Sequence, residues 1–138
     1  MLESIVLFDW LKKRLQPPAP LTGAPAVRRQ KTYSAQSGYV YQYYYEGHRE
    51  VSQATEYVFD VSADRKSSFP VSVMLEHGAV QSWQRSHERE LNSTERYAIA
   101  KMALFRAFDD RPRPDLMREQ VRVPIERIEE ILSDLDLD

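Results

Sequence analysis

Four tyrosines at alternate positions are the residues of this sequence most suited to binding a ligand. Tyr39, Tyr41, Tyr43 and Tyr45 share one face of any β-strand that contains them, because side chains alternate along a strand. A row of exposed rings can stack on nucleic-acid bases or sugars. The same row can instead be the core face beneath a long helix. Tyr41, Tyr43 and Tyr45 are therefore candidate binding residues, with core packing as the alternative.

A tryptophan further along the chain marks a second candidate site. A hairpin turn at His77-Gly78 would place Trp83 on the sheet face opposite to Val71 and Val73. An exposed tryptophan on that face would indicate an interaction patch, and a helix that covers the face is the alternative. Arg85 follows on the same segment and could add a cation for a polyanionic ligand.

Lys101 is the third candidate, because it lies between Tyr97 and Phe105 in the apolar stripe of a predicted helix. A lysine there must extend its ammonium group to water, pair with a carboxylate, or shift its pKa. The first two outcomes are the ordinary ones, and a reactive amine is the alternative. Lys101 is therefore a candidate binding residue, and no catalytic role is predicted for it.

The sequence contains no recognisable catalytic or metal motif. Each of the three histidines has a glutamate nearby, but their spacings match no two-ligand metal motif, so we predict no metal site. Neither a glycine-rich phosphate loop nor a nucleophile elbow occurs in the sequence. We therefore predict no cofactor and no catalytic residue, and an enzyme is the less favoured class.

These residues require a sheet to position them. Alternating apolar residues predict an antiparallel meander of three to four strands in an α+β fold. The predicted strands are Tyr39–Tyr45, Glu56–Val61, Phe69–Glu76 and Ala79–Arg85. The fourth segment also fits a helical stripe, through Val80, Trp83, His87 and Leu91.

A long central helix is predicted to pack on this sheet. It runs from about Ser93 to Asp109, since Asn92 and Glu95 form a capping-box pattern at its start. The sequence Arg111-Pro112-Arg113-Pro114 ends it. A final amphipathic helix begins near Pro124.

The order of helix, three strands and helix, with Ala98, Ala100 and Lys101 in the last helix, resembles the double-stranded RNA-binding topology over about half of the chain. Glu95 lies where that family needs cations.

The two ends of the chain differ in composition from its middle. Residues 1–15 predict an apolar helix, 16–31 a proline-rich basic linker, and 32–138 a single α+β domain. The first helix could dock on its own domain, on a partner or at a membrane interface. Six basic residues and no acid lie between Trp10 and Tyr45, whereas 126–138 carries six acids and one base. The two ends could attract each other, within one protomer or between two.

Composition limits the class of protein. The chain has 138 residues, a net charge of −2 and no cysteine. Thiol catalysis and cysteine-based zinc sites are therefore excluded, and a cytoplasmic location is favoured. No run of 18 apolar residues occurs, so no membrane span is expected.

Two functional hypotheses of different class follow. The first is a small non-catalytic module that binds a protein partner or self-associates, through the apolar first helix or the Trp83 face. The second is a nucleic-acid or small-ligand binding domain that uses the tyrosine-rich strand; nucleic acid is not favoured, since the net charge is −2. Its cations would be Arg28, Arg29, Lys31, Arg85 and Arg89.

Overall fold

The computed structural model describes residues 19–136, which form a five-stranded mixed sheet and three α-helices. The strands are β1 (Lys31–Ser34), β2 (Val40–Val51), β3 (Ala54–Ser62), β4 (Phe69–Glu76) and β5 (Val121–Val123). The helices are α1 (His77–His87), α2 (Ser93–Asp110) and α3 (Ile125–Asp134), with a 3₁₀ turn at Pro114–Arg118. The strands follow one another in the order β1-β2-β3-β4-β5. The first four are antiparallel, and β5 runs parallel to β4.

One face of the sheet forms the core. Alternation along β3 and β4 places large apolar residues on that face, and Phe59 pairs directly with Val71. The side chains of the three helices complete a single buried cluster with it. The opposite face carries mainly polar residues: Gln42, Tyr44, Glu56, Asp60 and Ser72.

The long helix α2 confirms the prediction made from its capping residues. The side chain of Asn92 accepts a hydrogen bond from the backbone of Glu95 at 2.8 Å, and Glu95 accepts one from the backbone of Asn92 at 3.1 Å. The buried residues of α2 include Ile99, Leu104 and Phe108. Because this cap is satisfied within the segment itself, the helix start is fixed by local sequence.

The predicted fourth strand at Ala79–Arg85 is wrong, because these residues lie in α1. His77-Gly78 begins the helix instead of closing a hairpin, and Gly78 does not adopt a positive φ. Val80 and Trp83, three residues apart, are the buried residues of α1, as the helical alternative required. The sheet is therefore not a purely antiparallel meander of three to four strands.

Two short strands complete the sheet and were not predicted. β1 has four residues and pairs with the start of β2, from Lys31↔Tyr43 to Ser34↔Val40. β5 has three residues and adds the single parallel pair, with Val121 opposite Val73. The remaining antiparallel pairing agrees with the predicted strands within 39–76.

The predicted helix 1–15 and the first residues of the linker lie outside the described residues. Residues 19–30 precede β1, and Thr22 exchanges two backbone hydrogen bonds of 2.8 Å with His48 of β2. Within residues 19–136, no helix is long and apolar enough to cross a membrane.

Candidate functional site

A β-bulge in β2 helps to form a cleft on the helix-bearing face of the sheet. The pairing of β2 with β3 shifts between Tyr45 and Gly47, so that Tyr45 faces Phe59 and His48 faces Tyr57. Without the extra residue, positions 45 and 48 would lie on opposite faces of the sheet. The bulge therefore brings both side chains to the helix-bearing face.

The cleft has a volume of about 550 Å³. It lies between the end of the sheet, the start of α2 and the segment that precedes β1. Its walls are formed by Gly23, Pro25, Tyr45, His48, Glu50, Thr55, Tyr57, Leu91, Ser93, Thr94, Arg96 and Tyr97. Three tyrosine rings from three different elements thus face one space.

The aromatic wall is held in place by ring contacts and one hydrogen bond. The centroids of Tyr45 and Tyr97 are 4.7 Å apart, and those of His48 and Tyr57 are 5.5 Å apart. The hydroxyl of Tyr45 lies 3.1 Å from Nδ1 of His48. Such tilted ring pairs add stability beyond the area that they bury. The wall is therefore preorganised.

A polar cluster closes one end of the cleft. Thr55 Oγ1 donates to one carboxylate oxygen of Glu50 at 2.7 Å, and His77 Nε2 lies 2.6 Å from the other. Burial opposes the charged form of Glu50, but these two hydrogen bonds and the nearby histidines lower its pKa below the ordinary value. Glu50 is therefore a carboxylate at neutral pH and its oxygens already have partners.

Arg96 supplies a cation whose bonding capacity is only partly used. Its Nε donates to the carbonyl of Leu91 at 3.1 Å, and one terminal nitrogen lies 3.4 Å from the side-chain oxygen of Gln84. Within residues 19–136 the guanidinium makes no ion pair. An arginine carries five N–H donors, so it can still receive an acceptor from a ligand.

The tyrosine hydroxyls of the cleft are neutral at physiological pH. Burial raises the pKa of Tyr57 to about 12. The positive charge of Arg96 lowers this pKa, and the negative charge of Glu50 raises it further. Burial also raises the pKa values of Tyr45 and Tyr97. Among the described residues, no group hydrogen-bonds the hydroxyls of Tyr57 and Tyr97. Both hydroxyls can donate to a ligand and accept from it.

The structure separates the site residues that were predicted from the sequence. Tyr41 and Tyr43 are 0% and 4% exposed and lie in the core beneath α2, whereas Tyr45 lines the cleft. Trp83 is fully buried and stacks on His87 at 4.2 Å, so it forms no exposed patch. Arg85 is exposed on α1 and is not among the residues that line the cleft with Tyr45.

Lys101 is half-buried on α2, and its Nζ lies 5.8 Å from the ring centroid of Phe105. This places the ammonium group over the ring, at the long end of the range for a cation–π contact. No carboxylate among the described residues pairs with its ammonium group. Lys101 is not among the residues that line the cleft.

Residues that the sequence did not single out as ligand-binding form most of the cleft, chiefly Tyr57, Tyr97 and Arg96. The one available signal was Gly47, since a glycine inside a strand pattern often marks a bulge. No cluster of three metal-binding side chains occurs within residues 19–136.

Comparison with known proteins gives no relative for this chain. No family model matches the sequence, and searches of curated proteins and of solved structures give no significant match. The geometry of the cleft is therefore the basis for a functional assignment.

Proposed function

We propose that this protein is a small-molecule binding module, and that the ligand occupies the cleft formed by Tyr45, His48, Tyr57, Arg96 and Tyr97. The observation that carries the proposal is the convergence of three tyrosine rings on one preorganised space. This is the second hypothesis of the sequence analysis, with Tyr45 as the contribution of the tyrosine-rich strand.

The size and composition of the cleft support this proposal. Its volume of about 550 Å³ falls within the range of about 300–1,000 Å³ that is typical of small-molecule sites. Such sites combine aromatic walls with a few polar groups that orient the ligand. The hydroxyls of Tyr57 and Tyr97 and the guanidinium of Arg96 are the polar groups with donors to spare.

These groups favour a flat, unsaturated ligand that carries hydrogen-bond acceptors. Planar rings stack well on tyrosine faces, and carbonyl or carboxylate oxygens would accept from Arg96 and the tyrosine hydroxyls. A long flexible ligand fits less well, because it would lose conformational entropy on entering an aromatic cleft.

A fragment screen tests the proposal. Two-dimensional amide NMR of the full chain with a library of small aromatic acids and amides is expected to give shifts at Tyr45, Tyr57 and Tyr97. The variant Thr94→Trp fills the cleft with an indole and is expected to abolish these shifts. Ser133→Trp places the same side chain on the exposed side of α3 and should leave them unchanged. Shifts that survive in Thr94→Trp, or a screen without cleft binders, would contradict the proposal.

The interaction module of the first hypothesis stays a prediction. Trp83 is buried, and the helix 1–15, the other surface that it could use, lies outside the described residues. Native mass spectrometry of the full chain tests it. A dimer or a larger species would support self-association, whereas a bare monomer at micromolar concentration would count against it.

A further inference from the structure

The start of α2 brings several hydrogen-bond donors to one wall of the cleft. Ser93, Thr94 and Arg96 come from the first turn of this helix, and all three line the cleft. The first N–H groups of a helix lack acceptors in a preceding turn, and within residues 19–136 those of Ser93 and Thr94 have none. The positive end of the α2 dipole therefore lies beside the guanidinium of Arg96. Positive groups gathered in this way favour an anion.

The guanidinium of Arg96 is held in position by the protein itself. Its Nε donates to the carbonyl of Leu91 at 3.1 Å, and a terminal nitrogen lies 3.4 Å from the side-chain oxygen of Gln84. Both partners are uncharged, so they leave the positive charge of Arg96 without a counter-charge. Its remaining N–H donors can donate to the oxygens of a carboxylate.

A tyrosine hydroxyl without a partner points to a ligand at the same place. Tyr57 is 4% exposed, and its hydroxyl makes no hydrogen bond within residues 19–136. In this part of the chain, the unpartnered side-chain atoms that are sealed from solvent belong to Tyr41, Gln42 and Trp83, so the hydroxyl of Tyr57 is not sealed. Since Tyr57 lines the cleft, its hydroxyl can reach a ligand there. Burial raises the pKa of Tyr57 and the charge of Arg96 lowers it, so the two groups lie near each other.

The two glutamates near these donors already have partners. Glu95 accepts a hydrogen bond from the backbone of Asn92 and pairs with Arg89 at 2.9 Å. Glu50 also lines the cleft, but its side chain is 65% exposed and contacts His77 at 2.6 Å. Water therefore screens the charge of Glu50 more than that of the half-buried guanidinium, and the balance favours a negative ligand.

We propose that the ligand of the cleft is an aromatic carboxylate, whose ring lies against the tyrosines and whose carboxylate binds Arg96, Tyr57 and the start of α2. The inference rests on the function proposed above and adds the charge of the ligand to it. An ionised carboxylate only accepts hydrogen bonds, whereas the guanidinium and the free N–H groups of α2 only donate. The matching neutral amide presents an NH₂ group in place of one oxygen, so it makes fewer and weaker bonds with these donors.

The first test compares 2-naphthoate with 2-naphthamide, which share one ring system and differ in charge. Each is titrated into the full chain at pH 7 and followed by amide NMR. Both are expected to shift the amides of Tyr45, Tyr57 and Tyr97, with the acid binding about tenfold more tightly. The side-chain Nε–H resonance of Arg96 is expected to shift with the acid and to move far less with the amide. An amide that binds as tightly as the acid would overturn the carboxylate site and leave the proposed function in place. No shift in the cleft with either compound would overturn both.

Variants then test whether Arg96 and Tyr57 hold the carboxylate. Arg96→Gln is expected to lower the affinity for 2-naphthoate about tenfold and to leave the affinity for 2-naphthamide unchanged. Tyr57→Phe keeps the ring and is expected to lower the affinity for 2-naphthoate about fivefold. Arg85→Gln makes the same change of charge at an exposed position that does not line the cleft, and it should leave both affinities unchanged.

Two results with these variants would refute the carboxylate site. Equal losses of acid and amide binding in Arg96→Gln would assign Arg96 a purely structural role at the start of α2. Equal losses of acid binding in Arg96→Gln and Arg85→Gln would show nonspecific attraction to the charge of the chain.

Discussion

Two tyrosines that stack on the same helix differ in one respect that can be measured. Tyr41 stacks on Phe108 with 4.2 Å between ring centroids, and Tyr33 stacks on Phe105 at 4.3 Å. The hydroxyl of Tyr33 donates to Asp109 at 2.8 Å. The hydroxyl of Tyr41 is buried and has no partner within residues 19–136. Substitution by phenylalanine therefore removes a hydrogen bond at one position and an unsatisfied group at the other.

The expected effects have opposite signs. An unsatisfied buried polar group costs about 1–3 kcal/mol, so Tyr41→Phe is expected to raise the free energy of unfolding by about 1 kcal/mol. A hydrogen bond to a charged group contributes about 1.5–3 kcal/mol, and partial exposure of Tyr33 reduces this to about 1 kcal/mol. Tyr33→Phe is therefore expected to lower the free energy of unfolding by about that amount, and the two variants should differ by about 2 kcal/mol.

Urea unfolding followed by far-ultraviolet circular dichroism measures both variants against the parent chain. Because the rings and their stacking partners are retained, the dependence on urea concentration should stay the same while the midpoints move apart. The melting temperatures should differ by roughly 6–10 °C for a chain of this size. If Tyr41→Phe destabilises the protein as much as Tyr33→Phe, the hydroxyl of Tyr41 has a partner in solution and the reasoning is refuted.

Two further predictions concern buried aromatic residues. The pKa values of Tyr33, Tyr43 and Tyr57 are raised to about 12 from 10.0, mainly by burial, so the folded state holds these protons more tightly than the unfolded chain. Their contribution to stability is present below pH 10 and is lost as the pH rises towards 12, which urea midpoints at pH 9, 10 and 11 can measure. Trp83 is fully buried, so in a Trp10→Phe variant its fluorescence should be blue-shifted and resist quenching by iodide; ready quenching would contradict the packing of α1.

The helix α2 shows what a short sequence can specify. Asn92 and Glu95 lie three residues apart, and the hydrogen bonds that they exchange begin the helix without help from the rest of the fold. The segment 77–87 lacks such a signal. Its apolar residues fit both the alternating pattern of a strand and the periodicity of a helix. The helix is favoured in the fold because it buries Val80 and Trp83 together. Tertiary packing, which the sequence pattern does not contain, makes that choice.

The cleft was less accessible to prediction than the fold. Tyr45 was identified as a candidate because it belongs to an alternating row, but its partners Tyr57 and Tyr97 come from another strand and from α2. Nothing in their sequence spacing relates them. The bulge at Gly47 also changes which residues share a face, so simple alternation assigns His48 to the wrong side.

The bulge depends on Gly47, which is therefore the position where sequence, fold and cleft are most closely linked. Gly47 has a φ of 119°, and a Cβ atom there would lie 2.6 Å from the carbonyl oxygen of Thr22. That carbonyl accepts the backbone N–H of His48, so the clash falls on the hydrogen bonds that hold residues 19–26 against β2. Gly47→Ala is expected to lower the free energy of unfolding by about 2–3 kcal/mol and to speed amide hydrogen exchange at Thr22 and His48.

Gly38 provides the matched comparison, because it has a φ of 98° and a Cβ atom there would meet no described atom within 4 Å. Gly38→Ala therefore introduces the backbone strain without the steric clash, and it is expected to lower the free energy of unfolding by about 1 kcal/mol. The difference between the two variants measures the contacts that the added methyl group makes with Leu21 and Thr22. Gly23 and Pro25 form one wall of the cleft. Gly47→Ala should therefore also lower the affinity of any ligand that binds in the cleft, and Gly38→Ala should leave that affinity unchanged. Equal stability losses, with the amides of Thr22 and His48 protected in both variants, would show that the segment before β1 is held by other contacts.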